Sequence, residues 1–127
     1  MRFIFAFIAL SLSLSACSRH NATTQEKLTG TWVSDWGGGV RSTVVIAADG
    51  SDQCQIVGFT NRGIFRMEGT MIATNGVLVD TITADSETNA GVPRSVEWHF
   101  RFSSDGSKLF LIGNNGATQS TLIKIKR

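Results

Sequence analysis

Residues 94–103 read RSVEWHFRFS, and the alternation in this stretch decides the fold. Val96, Trp98, Phe100 and Phe102 fall on one side of an extended chain, with Glu97, His99 and Arg101 on the other. Successive side chains of a strand point to opposite faces, so one face here is apolar and one is wet. The segment 65–71, FRMEGTM, repeats the pattern, with Phe65, Met67, Gly69 and Met71 against Arg66, Glu68 and Thr70. An antiparallel sheet folded over its own core divides its residues in this way. Beyond the first seventeen residues, no window carries the 3.6-residue apolar period of an amphipathic helix.

Outward from that strand, the same chemistry predicts eight strands, at 31–36, 41–48, 53–60, 64–73, 77–84, 94–103, 108–112 and 120–126. Turn residues punctuate them: Gly37-Gly38-Gly39, Asp49-Gly50, Asn61-Arg62-Gly63, Asn75-Gly76, Asp105-Gly106 and Asn114-Asn115-Gly116. Each supplies residues that tolerate positive φ, which tight antiparallel hairpins require. The only long polar connection, 85–93, is expected to be a loop at a barrel mouth. The fold class expected is all-β, a small antiparallel eight-stranded up-and-down barrel. An interior of that size is just filled by side chains, or holds one small ligand.

The first seventeen residues, MRFIFAFIALSLSLSAC, carry a different message. Arg2 precedes a twelve-residue apolar run, Phe3 to Leu14, and small residues precede Cys17. The run is shorter than the roughly 20 residues of a membrane-spanning helix. It has the length and flanks of a secretory leader. Leu14-Ser15-Ala16-Cys17 resembles the lipobox of bacterial lipoproteins. That resemblance implies a signal peptide at 1–16, cleavage before Cys17, lipidation of its sulfur and acylation of the new amine. Two or more acyl chains anchor stably where one does not. Ser18, in place of an inner-membrane retention aspartate, favours the periplasmic face of a Gram-negative outer membrane. Residues 17–27, polar apart from Ala22, are read as the lipidated N-terminus and a flexible tether, with the domain at 28–127.

Cleavage would leave 111 residues, enough for one small domain. Without Arg2, eleven basic residues face ten acidic ones, and they are scattered along the chain. That distribution argues against a nucleic-acid partner. If Cys17 is lipidated, Cys54 has no partner in the chain; a Cys17–Cys54 disulfide is the competing arrangement. Alternation turns Cys54 inward beside Ile56, where a thiol acts as a small hydrophobe.

Residues 28–36, LTGTWVSDW, resemble the Gly-x-Trp signature on the first strand of lipocalins and of short lipocalin-like lipoproteins, with Gly30 and Trp32 matching. The resemblance implies a tryptophan closing the barrel floor, packed by a basic residue of the last strand, here Lys124 or Lys126. The C-terminal helix usual in longer lipocalins has no counterpart between Ile112 and Ser120. Trp36, Trp98 and Met67 are candidate rim or ligand contacts.

Ingredients for catalysis are few. His20 and His99 lack partners at metal-ligand spacing, and no metal site or other cofactor is expected. Asp80 and Asp85 are expected to be solvated or turn-forming. The stretch 35–40, DWGGGV, lacks the Lys-Ser/Thr of a phosphate loop and reads as a hairpin. AADGS at 47–51 and SSDGS at 103–107 read as Asp-Gly turns rather than calcium loops. The function expected is therefore non-catalytic: a monomeric, lipid-anchored binding module for a small apolar ligand or an envelope protein. A periplasmic inhibitor of a lysozyme-type or protease hydrolase is the alternative, and a redox or hydrolytic protein using Cys54 the third reading.

Overall fold

The computed structural model describes residues 23–60, 63–87 and 92–125. The leader, Cys17, His20 and Lys126 lie outside these residues. A short helix, α1 (Thr24–Leu28), precedes eight strands: β1 (Gly30–Gly37), β2 (Val40–Ile46), β3 (Ser51–Thr60), β4 (Gly63–Thr74), β5 (Val77–Asp85), β6 (Arg94–Phe102), β7 (Lys108–Ile112) and β8 (Thr118–Lys124). Each strand pairs antiparallel with its sequence neighbours, and β1 pairs with β8, closing an up-and-down barrel. Every expected strand forms, with ends displaced by at most two residues.

The turns that end the strands use their residues as the sequence implied. Asp105 Oδ1 accepts from Ser107 N at 3.0 Å and from the hydroxyls of Ser103 and Ser107 at 2.7 Å. Asp49 Oδ1 accepts likewise from Ser51 N at 2.9 Å and Ser51 Oγ at 2.7 Å. Such local bonds from aspartate fix the turn geometry within a few residues.

The two ends of the barrel differ. The β2–β3, β4–β5 and β6–β7 turns lie at one end with α1, the floor. The β1–β2, β3–β4, β5–β6 and β7–β8 connections lie at the other, the mouth, where β5 leads into the long connection to β6. The core of Leu28, Trp32, Val44, Ile46, Met71, Leu78, Leu109, Leu111 and Leu122 fills the barrel from the floor upward, with Trp98, Phe100 and Phe102 packed against it.

The closing seam is the weakest ladder. Only Trp32↔Lys124 and Val33↔Ile123 register across β1 and β8, against six pairs between β2 and β3. Side chains reinforce it: Ser34 Oγ donates to Thr121 O at 3.0 Å and lies 3.2 Å from Ser120 Oγ. Ser34 is thereby buried without an orphaned hydroxyl.

Helix α1 departs from the sequence reading of a tether running to residue 27. Thr23 Oγ1 caps it by accepting from Glu26 N at 3.2 Å, and Leu28 at its end is fully buried. Its single turn is too short to generate an apolar period. What holds it is Gln25, whose amide takes the place of a neighbouring strand on β4. Nε2 donates to Met71 O at 3.0 Å, and Oε1 accepts from Ala73 N at 3.1 Å. Residues 24–27, which the sequence reading placed in the tether, are thus part of a helix packed on the barrel. Gln25→Ala leaves both β4 groups without these partners and is expected to cost about 1–3 kcal/mol, read as a lowered urea midpoint; an unchanged midpoint would mean that α1 adds nothing to the barrel.

Candidate functional site

The floor is sealed around Trp32. Its indole is fully buried and donates from Nε1 to Leu28 O at 2.7 Å. Phe102 packs at 6.3 Å between ring centroids, and Lys124 Nζ stands 5.3 Å from the indole centroid. Of the two lysines the sequence left open, Lys124 takes this place; it also donates to Lys27 O at 3.2 Å. A cation so placed is worth roughly 0.5–2 kcal/mol. Gly30 makes room for it, since a Cβ at this position would meet Lys124 Cε at 2.8 Å, and its φ of +136° is strained for any L side chain.

The mouth is built differently. Trp36 stands on the rim, 52% exposed, with Nε1 donating to Ser42 Oγ at 3.2 Å. Phe59, 54% exposed, meets its ring edge to face at 6.3 Å, and Phe65 follows at 5.7 Å from Phe59. This aromatic arc depends on Gly58. The register between β3 and β4 breaks between Ile56 and Thr60, and Gly58 at φ +80° lies against the Gly39 carbonyl. A Cβ at Gly58 would collide with that carbonyl. The bulge carries Phe59 off the outer face shared by Gln55 and Val57 and onto the rim.

Of the three contacts read from the sequence, Trp36 is on the rim. Met67 pairs with Cys54 on the interior wall and is half-buried. Trp98 pairs with Leu78 and packs against the core, away from the rim aromatics. Phe59 was missed, because its face depends on a bulge that simple alternation does not register. His99 is exposed on the outer wall, as alternation placed it.

Sequence reasoning also missed a polar patch inside the wall. Asp52 pairs with Ile46 and shares the inward face with Cys54 and Ile56; Asp80 pairs with Met71 and Val96. Asp80 is thus half-buried within the barrel and not the solvated strand-end residue expected. Parity with Leu78 and Ile82 was the available signal. Burial pushes the Asp52 carboxyl up to about 6, helped by the Asp80 charge. Asp80 is also raised by burial, with Arg94 pulling in the opposite direction. Cys54 carries a free thiol, pushed up to about 12 by burial and by both carboxylates. The thiolate is therefore scarce at neutral pH, and Cys54 is a poor nucleophile.

Two surface clefts lie toward the floor. One, of about 450 Å³, runs beside the Glu68/Gly69 bulge between Val45, Gln53 and Thr83, and reaches Asp52. The other, of about 380 Å³, lies between Lys27, Lys124 and the Ser103–Ser107 turn. Among the described residues no group of three or more His, Cys, Asp or Glu side chains is placed to hold a metal ion. No family model, curated protein or solved structure matches the chain.

The buried carboxyls set a pH dependence whose sign follows from the raised values. The barrel accommodates the protonated Asp52, so its contribution is full below the ordinary 3.8 and is lost as pH rises through about 6. Asp49 and Asp105 are held below 3.8 by their turn hydrogen bonds and act at lower pH. Urea unfolding should therefore show stability falling by about 1–3 kcal/mol from pH 4 to 7. Asp52→Asn should flatten that slope and raise stability at pH 7; a slope unchanged by the substitution would place the titration elsewhere.

Proposed function

We propose that this chain is a lipid-anchored, non-catalytic binding module of the bacterial cell envelope, of lipocalin-like type, which meets its ligand at the barrel mouth. The observation that carries the reading is the arc Trp36–Phe59–Phe65, with Trp36 and Phe59 exposed, at one end of a barrel whose other end is sealed. Large aromatic side chains left half-exposed together are costly in water unless something covers them. The edge-to-face contact of Trp36 with Phe59 and the tilted contact of Phe59 with Phe65 hold them in place beforehand, so less side-chain freedom is lost on binding. The sealed floor supports the lipocalin-like reading, because Gly30, Trp32 and Lys124 stand in the relation that resemblance implied. The leader and Leu14-Ser15-Ala16-Cys17 support the anchor.

The rim is tested with a probe. The folded protein should bind an anilinonaphthalene sulfonate dye, and Trp36→Ser with Phe59→Ser should weaken that binding at least about five-fold. Both side chains are half-exposed, so the melting temperature should move little. Dye binding that survives the double substitution would overturn the rim as the contact surface. The anchor is tested separately: Cys17→Ser should leave an unprocessed precursor without lipid by intact mass, and normal envelope attachment of that variant would contradict it.

A further inference from the structure

The outer wall at the floor end carries an apolar strip that the barrel itself does not use. Register places Val45 beside Thr31, and Val33 between Thr43 and Ile123, while Ile125 N donates to Thr31 O at 2.8 Å. The strip therefore crosses β2, β1 and the end of β8, with Thr31 and Thr43 between its apolar members. Val45 is 45% exposed, Ile123 53% and Ile125 47%. Lys108 pairs with Ile123 at one edge, Lys27 ends the helix on the adjoining floor, and Lys126 and Arg127 follow Ile125 in the sequence.

We infer that this strip rests on the headgroup layer of the anchoring phospholipid bilayer, so that the floor end lies against the membrane and the aromatic mouth stands farther from it. The inference rests on the lipid anchor proposed above. Apolar side chains bordered by lysine, here Lys27 and Lys108, are the composition of surfaces that lie in a membrane interface. Each basic residue near an anionic bilayer strengthens attachment about five-fold. Asp49, Asp105 and Glu26 also lie at this end, so the apolar side chains and the tether, rather than net charge, carry the contact.

The chain outside the described residues points the same way. Cys17 and Thr23 are six residues apart, a reach of at most about 22 Å. That segment enters the fold at α1, on the floor beside the strip. β1 alone spans about 23 Å along its length. Laying the mouth on the bilayer would need the tether almost fully drawn out along the wall. A second copy fits the strip less well, because a closed barrel offers no free strand edge. One valine and two isoleucines also fall far short of the roughly 800 Å² per partner of a stable dimer. A lipid tether removes that difficulty by holding the strip at high local concentration.

The test uses the lipidated protein extracted from membranes and reconstituted into phosphatidylcholine–phosphatidylglycerol vesicles that carry a spin-labelled headgroup quencher. A fluorophore is placed at Ser104→Cys, in the floor turn, or at Asn114→Cys, in the mouth turn. Cys17 is blocked by lipid, and the Cys54 thiol, pushed up to about 12, labels poorly at neutral pH. The Ser104 probe should be quenched at least about three-fold more than the Asn114 probe, and Ile123→Asp with Ile125→Asp should level the two. Equal quenching at both ends, stronger quenching at the mouth, or an unchanged difference in the Asp variant would overturn the orientation. So would crosslinking between copies through the strip. If the Asp variant unfolds, the comparison of the two probes in the parent protein still decides. An intact mass without lipid would instead overturn the anchor, and the orientation with it.

Discussion

The seat of Trp32 is the constraint on which the rest of the barrel depends. One indole touches the three parts of the chain that must meet for the barrel to close. Its N–H is taken by Leu28 O at the end of α1, its own strand begins the sheet, and Lys124 of the last strand stands over its ring. The seam it occupies has only two registered pairs, so backbone hydrogen bonds alone hold it weakly. Fully burying an aromatic ring contributes a few kcal/mol, comparable to several net hydrogen bonds. Gly30 belongs to the same seat, because any side chain there would displace the lysine. The glycine of Gly-x-Trp is held chiefly by its φ of +136°, and it leaves space for the lysine stem whose cation stands over the tryptophan two residues on.

This explains why the fold was legible in the sequence and where legibility stopped. Period-two alternation in 94–103 and the Asp-Gly and Asn-Gly turns act within a few residues, so they can be read locally. The assignment of Lys124 over Lys126 needed the register of β8 against β1, a contact across the whole chain. Helix α1 escaped notice because one turn has no period, and its stabilising partner, β4, is 46 residues away. Asp52 and Asp80 are a different case. Their inward face was available from parity with Ile56 and Leu78, but the usual solvation of aspartate outweighed the pattern. The barrel tolerates them at the cost of raised carboxyl pKa values.

The candidate site was half legible for a related reason. Trp36 precedes three glycines and could be placed at a hairpin from sequence alone. Phe59 reaches it only because Gly58 breaks the β3–β4 register, and the positive φ there is affordable because glycine has no Cβ to meet Gly39. Two glycine-dependent features, the β1–β2 turn and the β3 bulge, therefore bring the rim aromatics together. The apolar residues at the mouth are not a core that failed to close; they sit on a backbone shaped to hold them.

The contrast between the ends follows from how the hydrophobic material is distributed. At the floor, Leu28, Trp32 and Phe102 turn inward and a short helix covers them. At the mouth the comparable rings stay half-exposed and pack on one another. A barrel sealed at both ends would be more stable, since covering Trp36 and Phe59 would remove further apolar surface from water. Retaining them in the open, fixed by an indole hydrogen bond to Ser42 and by edge-to-face contacts, gives up some of that stability. What results is an apolar surface whose side chains are held by those contacts, and that is the physical basis for proposing the mouth as the working end.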